Sequence, residues 1–289
     1  MVRVEPLTSL TPDQRAAVLA LVDAATAADG VAPLNEEARL QLGRTDALHW
    51  LATDGDAIVG YAQWQPTNAT GQLVVHPEHR RAGHGTSLFA ALTSDVAEPA
   101  IWAFGDQHGA QRFAASADLV PARGLHIMER DLQPGEGGRR PPEGVRLRSF
   151  TPDDADAFLA VNAAAFADHP EQGHFSADDL ANRQAEPWWN PGGLILAEDA
   201  EGVVGFHWTK RHDDTTGEVY VLGVHPRGAG RGLGGVLLDA GLAYLARGGN
   251  TRVILYVDAG NTPAVALYER SGFRVVHTDT LYRPTTGSA

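Results

Sequence analysis

Leu73–Leu88 reads LVVHPEHRRAGHGTSL, and Leu222–Leu237 reads LGVHPRGAGRGLGGVL. Each passes from an apolar strand through a His-Pro turn and a glycine-rich loop into the start of a helix. Such a loop turns backbone N–H groups, and the positive end of the helix dipole, toward an anionic ligand such as a pyrophosphate. A segment that occurs twice predicts a duplicated binder of a nucleotide cofactor. The residues by which the copies differ should mark the one that carries chemistry.

Outward from the two loops, the halves of the chain match element by element. VRVEPL near the start answers VRLRSF at Val145–Phe150, each a short alternating strand. Amphipathic helices follow at Thr11–Ala25 and Thr151–Phe166, both opened by Thr-Pro-Asp, with proline in the first turn where its missing N–H does no harm. HWLATDGDAIVGYAQW (His49–Trp64) and LILAEDAEGVVGFHW (Leu194–Trp208) each read as two strands joined by an acidic turn. In the second half the loop helix leads to a β-branched strand, Arg252–Gly260. A helix from Asn261 to Phe273 follows, capped by the Asn and closed by a Gly. The order β-α-α-β-β-β-α-β-α-β predicts an α/β fold in each half, a mixed central sheet with helices on both faces. LQPGEGGRRPPEG, Leu132–Gly144, lacks apolar periodicity and is dense in Gly and Pro. The expected division is therefore an N-terminal domain at 1–133, a linker at 134–144 and a C-terminal domain at 145–289.

The chain has 289 residues, 43% of them hydrophobic and 20% charged, which suits two globular domains. A formal net charge of −13 argues against nucleic acid as a partner. No apolar run approaches a membrane span and no secretory leader is visible, so the expected place is the cytoplasm, away from membranes. Cysteine is absent, which excludes disulfides, thiolate metal sites and a cysteine nucleophile. His169 and His174 have no third ligand at a recognisable spacing, so no metal is expected. Lys210 is the only lysine.

Strand, V-x-P turn, glycine loop and helix, followed by Asn261, Ala264, Leu267, Tyr268, Gly272 and Phe273 at the right distances, resemble the GNAT acetyltransferases in both halves. That resemblance implies two tandem GNAT domains and acetyl-CoA as cosubstrate, one per domain. Two such halves with HPEQGHF at His169–Phe175 are similar to a two-domain branch of the family. The acceptor implied is then a small-molecule thiol, the pseudodisaccharide cysteinyl-glucosaminyl-inositol, acetylated on its cysteinyl amine. A single chain could act as a monomer, since the duplication supplies internally the pairing that single-domain members obtain by dimerising.

For acetyl transfer the pyrophosphate must be held. The C-terminal loop offers Ala229, Gly230, Arg231, Gly232, Leu233, Gly234 and Gly235, and the N-terminal loop Arg81, Ala82, Gly83, His84, Gly85 and Thr86. Arg80 stands at the family's Gln/Arg position, where the C-terminal copy has Ala229. Backbone N–H groups of the preceding strand, at Leu222, Gly223 and Val224, and at Leu73, Val74 and Val75 in the first copy, would orient the thioester carbonyl. The resemblance extends the cofactor contacts to Asn261, Thr262, Pro263, Ala264, Val265 and Ala266. An amine with a pKa near ~8 needs a base, and Glu218, heading an otherwise apolar strand, occupies that family position. Tyr268 stands where the family places the hydroxyl that protonates the departing thiolate; outside the motif it would read as a packed helix aromatic. The resemblance assigns acceptor contacts to Glu36, Glu171, Lys210, Glu218 and Tyr256, although Glu36 reads equally well as first-turn charge beside the cap Asn35.

Counting back from the two His-Pro turns pairs Glu218 with Ala69, and aligning the helix ends pairs Tyr268 with Ala114. The first copy is therefore expected to bind acetyl-CoA without turning it over. A GNAT enzyme for another small amine and a noncatalytic acetyl-CoA-responsive regulator are the alternative readings.

Overall fold

Thr11 fixes where the first helix begins: its hydroxyl accepts the Gln14 N–H, and the Gln14 side chain accepts the Thr11 N–H in return. The computed structural model describes residues 3–167 and 172–285. In the first half β1 (Arg3–Leu7) is followed by α1 (Pro12–Asp29), α2 (Glu36–Gln41), β2 (Leu48–Asp54), β3 (Ala57–Gln65) and β4 (Thr70–Val75). After the glycine loop come α3 (His84–Asp95), β5 (Ile101–Ala103), α4 (His108–Ser116) and β6 (Leu119–Asp131). The second half repeats the order as β7 (Arg146–Ser149), α5 (Ala155–Ala165), α6 (Ala177–Gln184), β8 (Leu194–Asp199), β9 (Gly202–Arg211) and β10 (Thr216–Val224). It ends with α7 (Leu233–Arg247), β11 (Arg252–Asp258), α8 (Thr262–Arg270) and β12 (Arg274–Pro284). Both halves thus have the element order expected from sequence.

Contacts divide the chain into two units, one of residues up to 126 with 258–260 and 277 onward, the other of 127–257 with 261–276. β6 and β12 each have residues in both units, the division falling within these strands, between 126 and 127 and between 276 and 277. In the first unit the strand order is β1-β2-β3-β4-β5-β12-β6 and in the second β6-β11-β10-β9-β8-β7. Each sheet is mixed: β4 runs parallel to β5 and β10 parallel to β11, while the other pairs described are antiparallel.

Helices cover both faces because both faces are apolar. In the first unit Val18, Leu21 and Val22 of α1 pack on Leu51, Tyr61 and Val74, whereas Leu88 and Leu92 of α3 pack on Trp50, Val59 and Ala62. In the second, Phe158 and Val161 of α5 meet Leu196, Phe206 and Trp208, and Leu238, Leu242 and Leu245 of α7 meet Val219, Val253 and Leu255. One helix start differs from expectation. Thr151 forms its reciprocal cap with Asp154, but Pro152–Asp154 is a 3₁₀ turn and the α-helix begins only at Ala155. Asp154 is buried and gripped by both terminal nitrogens of Arg148 at 2.7 Å, which holds that first turn tight.

Two histidines lie inside these layers. His207 is fully buried and its Nδ1–H donates to the Leu237 carbonyl at 2.8 Å, and His49 is equally buried with Nδ1 2.6 Å from the Tyr61 hydroxyl. Burial lowers both to about 4, because a charged ring would lose its water. Between pH 6.5 and about 4 the unfolded chain binds protons that the folded chain refuses. Stability that is full above pH 6.5 is therefore lost as pH falls through that window, by about 3 kcal/mol per histidine at its lower end. Urea midpoints measured from pH 7 to pH 5 should fall, and His207→Gln should flatten the slope; an unaltered slope in the variant would rule this source out.

Leu132–Val145 forms no helix or strand, yet it is held down along the second unit. Glu136 pairs with Arg130 and accepts the Gln133 N–H, and the Arg139 N–H donates to Asp239 of α7 at 2.9 Å.

Candidate active site

A bulge distinguishes the two copies. β9 and β10 pair Glu218 with Lys210 and Val219 with Thr209, then Val221 with Trp208, so Tyr220 is an extra residue on β10. In the first unit β3 and β4 pair without interruption from Gly60–Val75 to Gln65–Thr70. Matching Gly205–Val224 to Gly60–Val75 puts Lys210 opposite Gln65 in the comparison and Glu218 opposite Thr70. The expected counterpart, Ala69, is corrected to Thr70: counting along the sequence ignores the inserted residue, and Ala69 sits outside β4 in the preceding turn at φ 49°. The other pairing, Tyr268 with Ala114, agrees with the structure. Both helices are closed three residues later, by the C-cap residues Ser271 and Ala117, and the next residues, Gly272 and Asp118, both have positive φ.

The parallel ladder of β10 with β11 joins Thr216–Val219 to Arg252–Leu255 and stops there. Among the described residues, Leu222, Gly223 and Val224 thus lie beyond the end of that ladder, with no register partner on β11. Gly223 is needed here for a different reason: a Cβ would lie 2.8 Å from Phe206 and 3.1 Å from Phe166. In the first unit β4 and β5 pair only at Gly71–Ile101 and Gln72–Trp102, leaving Leu73, Val74 and Val75 in the same situation.

Glu218 is 6% exposed, and its carboxylate lies 2.6 Å from Nε2 of His212. His212 was missed in the sequence. It lies in the β9–β10 hairpin, its N–H donating to the Thr216 carbonyl, and alternation from Lys210 puts it on the face of Glu218. A carboxylate six residues after a histidine across a tight hairpin was the available signal. The Lys210 ammonium lies over the rings of Trp188 and Tyr220, at 5.1 and 5.6 Å from their centroids. Tyr256, 51% exposed, is two residues beyond Ile254, the partner of Glu218 across β11, and shares its face. The structure therefore brings Lys210, Glu218 and Tyr256 together on one face of one sheet. Glu36 belongs to the first unit, exposed at the start of α2, with Asn35 as the cap the sequence suggested. Glu171 and His169 lie outside the described residues.

The glycine loops have the same backbone outline. Gly230 and Gly232 have φ of 76° and 74°, and the corresponding Arg81 and Gly83 have 63° and 84°. Gly232 and Gly83 are the residues that open α7 and α3, and having no side chain they leave the first-turn N–H groups without a side-chain acceptor. Leu233, Gly234 and Gly235 form the first turn of α7, and His84, Gly85 and Thr86 that of α3. Two loop arginines are committed elsewhere. Arg231 binds Asp199 at 2.8 Å, alongside Arg227 at 2.9 Å, and the pair holds the Asp199 carboxyl well below the usual range. Arg80 grips Asp29, the last residue of α1, with two bonds of 2.8 and 2.7 Å. The side chain at the family's Gln/Arg position therefore braces a helix end in the first copy.

α8 places Thr262–Ala266 in its opening turns behind the cap Asn261, whose side chain accepts the Ala264 N–H. Its Leu267 reaches the first turn of α7, 3.4 Å from where a Cβ on Gly234 would be. Tyr268 is buried edge-on to Phe273, ring centroids 5.7 Å apart, and burial pushes its phenol up to about 12. An open cavity of about 580 Å³ lies along α7 beside Arg148, Tyr244 and Arg247, but neither Glu218 nor Tyr268 lines it. Among the described residues no group of three or more His, Asp and Glu is arranged to hold a metal, and no helix is long and apolar enough to cross a membrane.

A parallel ladder that stops short, an uncapped helix behind a glycine loop and a buried strand carboxylate thus lie in the second unit, in the order the resemblance to acyl-CoA-dependent transferases implies. The model of the acetyltransferase (GNAT) family matches residues 160–273, and a second model, of the acetyltransferase (GNAT) domain, matches 45–118. The chain belongs to the GNAT acetyltransferase family, as two tandem domains, and acetyl-CoA is its donor. It is 48% identical to a mycothiol acetyltransferase of Thermobispora bispora over 94% of this chain and 97% of that one. It is 45% identical to a mycothiol acetyltransferase of Streptomyces coelicolor over 98% and 96%. Among solved structures, a tandem GNAT protein from the clavulanic acid biosynthesis pathway covers all of both chains at a TM-score of 0.73 and 18% identity, a likeness of fold.

Proposed function

We propose that the protein acetylates the cysteinyl amine of cysteinyl-glucosaminyl-inositol with acetyl-CoA, the last step of mycothiol biosynthesis, and that the C-terminal half does the chemistry. The observation that carries this reading is the likeness, at 44% to 48% identity over nearly the whole chain, to mycothiol acetyltransferases. The amine attacks the thioester carbon; the N–C bond forms as the C–S bond breaks. Glu218 takes the proton that the amine must lose, and His212, half-exposed beside it, passes that proton toward solvent. Backbone N–H groups at Leu222–Val224 stabilise the oxygen that gains charge. Tyr268 gives its phenolic proton to the departing thiolate. Its raised pKa keeps that proton in place at neutral pH.

The acceptor is a polyhydroxylated sugar-inositol, to which Lys210, Glu218 and Tyr256 offer a charge, a carboxylate and a hydroxyl on one face; Glu36 and Glu171 complete the set assigned by resemblance. The N-terminal half binds acetyl-CoA at Leu73–Val75 and Arg81–Thr86 but does not turn it over, a reading supported by Thr70 and Ala114 at the positions of Glu218 and Tyr268. The enzyme acts as a monomer in the cytoplasm, on a small molecule, with no nucleic-acid partner. The experiment is product analysis with acetyl-CoA and cysteinyl-glucosaminyl-inositol: N-acetylated product is expected, and its absence at micromolar enzyme, with another amine acetylated instead, would overturn the acceptor assignment.

A further inference from the structure

The linker segment follows one stripe of α7. A Cβ on Gly137 would lie 2.9 Å from Ala243 Cβ, the Arg139 N–H donates to Asp239, and Arg139 Nη1 would be 2.5 Å from a Cβ on Gly235. Residues 243, 239 and 235 are successive positions four apart on one helix face, so the chain runs toward the N-terminus of α7 and sets a guanidinium against its first turn. With glycine at 235 the guanidinium can lie directly against the helix turn, whereas a side chain there would push it aside; the first copy has Thr86 at the corresponding place. Leu267 of α8 lies 3.8 Å from the same Cβ position, so the guanidinium sits where the glycine loop, α7 and α8 meet.

The charge at this end of α7 makes that position informative. The protein carries −13, and the loop's own Arg231 and its neighbour Arg227 are neutralised on Asp199. Arg139 has no carboxylate partner for its side chain among the described residues; Asp239 takes its backbone N–H alone. A ligand with several phosphate charges therefore has the N–H groups of α7 and one uncommitted arginine beside them. Guanidinium forks bind phosphate oxygens in pairs, which an ammonium cannot do.

Building on the acetyl-CoA reading of this loop, we infer that Arg139 of the linker is a specificity-determining residue that binds the phosphates of the cosubstrate in the C-terminal half. The residue then lets the catalytic copy prefer acetyl-CoA over the phosphate-free S-acetylpantetheine.

The test compares KM for those two donors in the wild type, Arg139→Ala and Arg139→Lys. In Arg139→Ala the KM for acetyl-CoA should rise about 10-fold relative to that for S-acetylpantetheine, with a shallower dependence on salt, and lysine should restore part of the difference. An unaltered ratio overturns the inference, whether both KM values rise together, as a packing role would produce, or neither moves. Calorimetric titration with CoA reads the same variants without turnover. No acetyl transfer by the wild type would count against the enzymatic reading, whereas equal CoA affinity in wild type and Arg139→Ala would count against Arg139.

Discussion

Glu218→Gln should lower kcat by roughly 10²- to 10⁴-fold, the range that a positioned general base contributes. Glutamine has the same size and can remain 94% covered in the same place, since Glu218 itself is 6% exposed, but it cannot accept a proton. His212 then keeps a hydrogen-bond acceptor in the amide oxygen, so the hairpin should persist and the loss should fall on turnover rather than folding. The KM for acetyl-CoA, set by the glycine loop on the far side of the bulge, should move little. Steady-state rates at saturating acceptor decide the matter: a kcat within a few-fold of wild type would remove Glu218 from the reaction.

Tyr268→Phe should cost roughly 10²-fold in kcat, the low end of that range, because a thiolate whose acid has a pKa near ~8.5 departs without much help. The ring stays edge-on to Phe273, so its place in the core with Met128, Val219 and Leu238 is kept. Removing a buried hydroxyl takes away a group that must otherwise be desolvated, and thermal unfolding should shift little or upward. A fall in both kcat and melting temperature would instead point to packing as the residue's role. The raised phenol pKa of about 12 adds a sign: the proton remains on Tyr268 throughout the neutral range, so activity lost on mild alkalinisation comes from another group.

What the sequence made legible was local. Caps such as Thr11 and Asn35, the proline starts and the two glycine loops are readable because they depend on neighbours a few residues away. Glu218 and Tyr268 are legible as candidates because each sits at a fixed distance from such a signal. The rest depends on partners far along the chain. The grip of Arg80 on Asp29 and of Arg231 on Asp199 spans 51 and 32 residues, and it commits the side chains of these two loop arginines. His212 came into view only once the hairpin register was known. The allocation of β12 to the first unit beyond residue 277 follows from its pairing with β5, which no local pattern encodes.

The additional residue in β10 also bears on ancestry. Two halves that differed only by substitution could exchange roles by reversing a codon or two. Thr70→Glu would put a carboxylate opposite Gln65 but in a ladder that lacks the bulge at Tyr220, so its strand would not bend to present it. Reproducing the second copy's arrangement would take an inserted residue in β4 as well as replacements at Thr70 and Ala114. A difference in strand length of this kind separates the copies more firmly than substitutions do, because no exchange of side chains alone makes the two ladders equivalent.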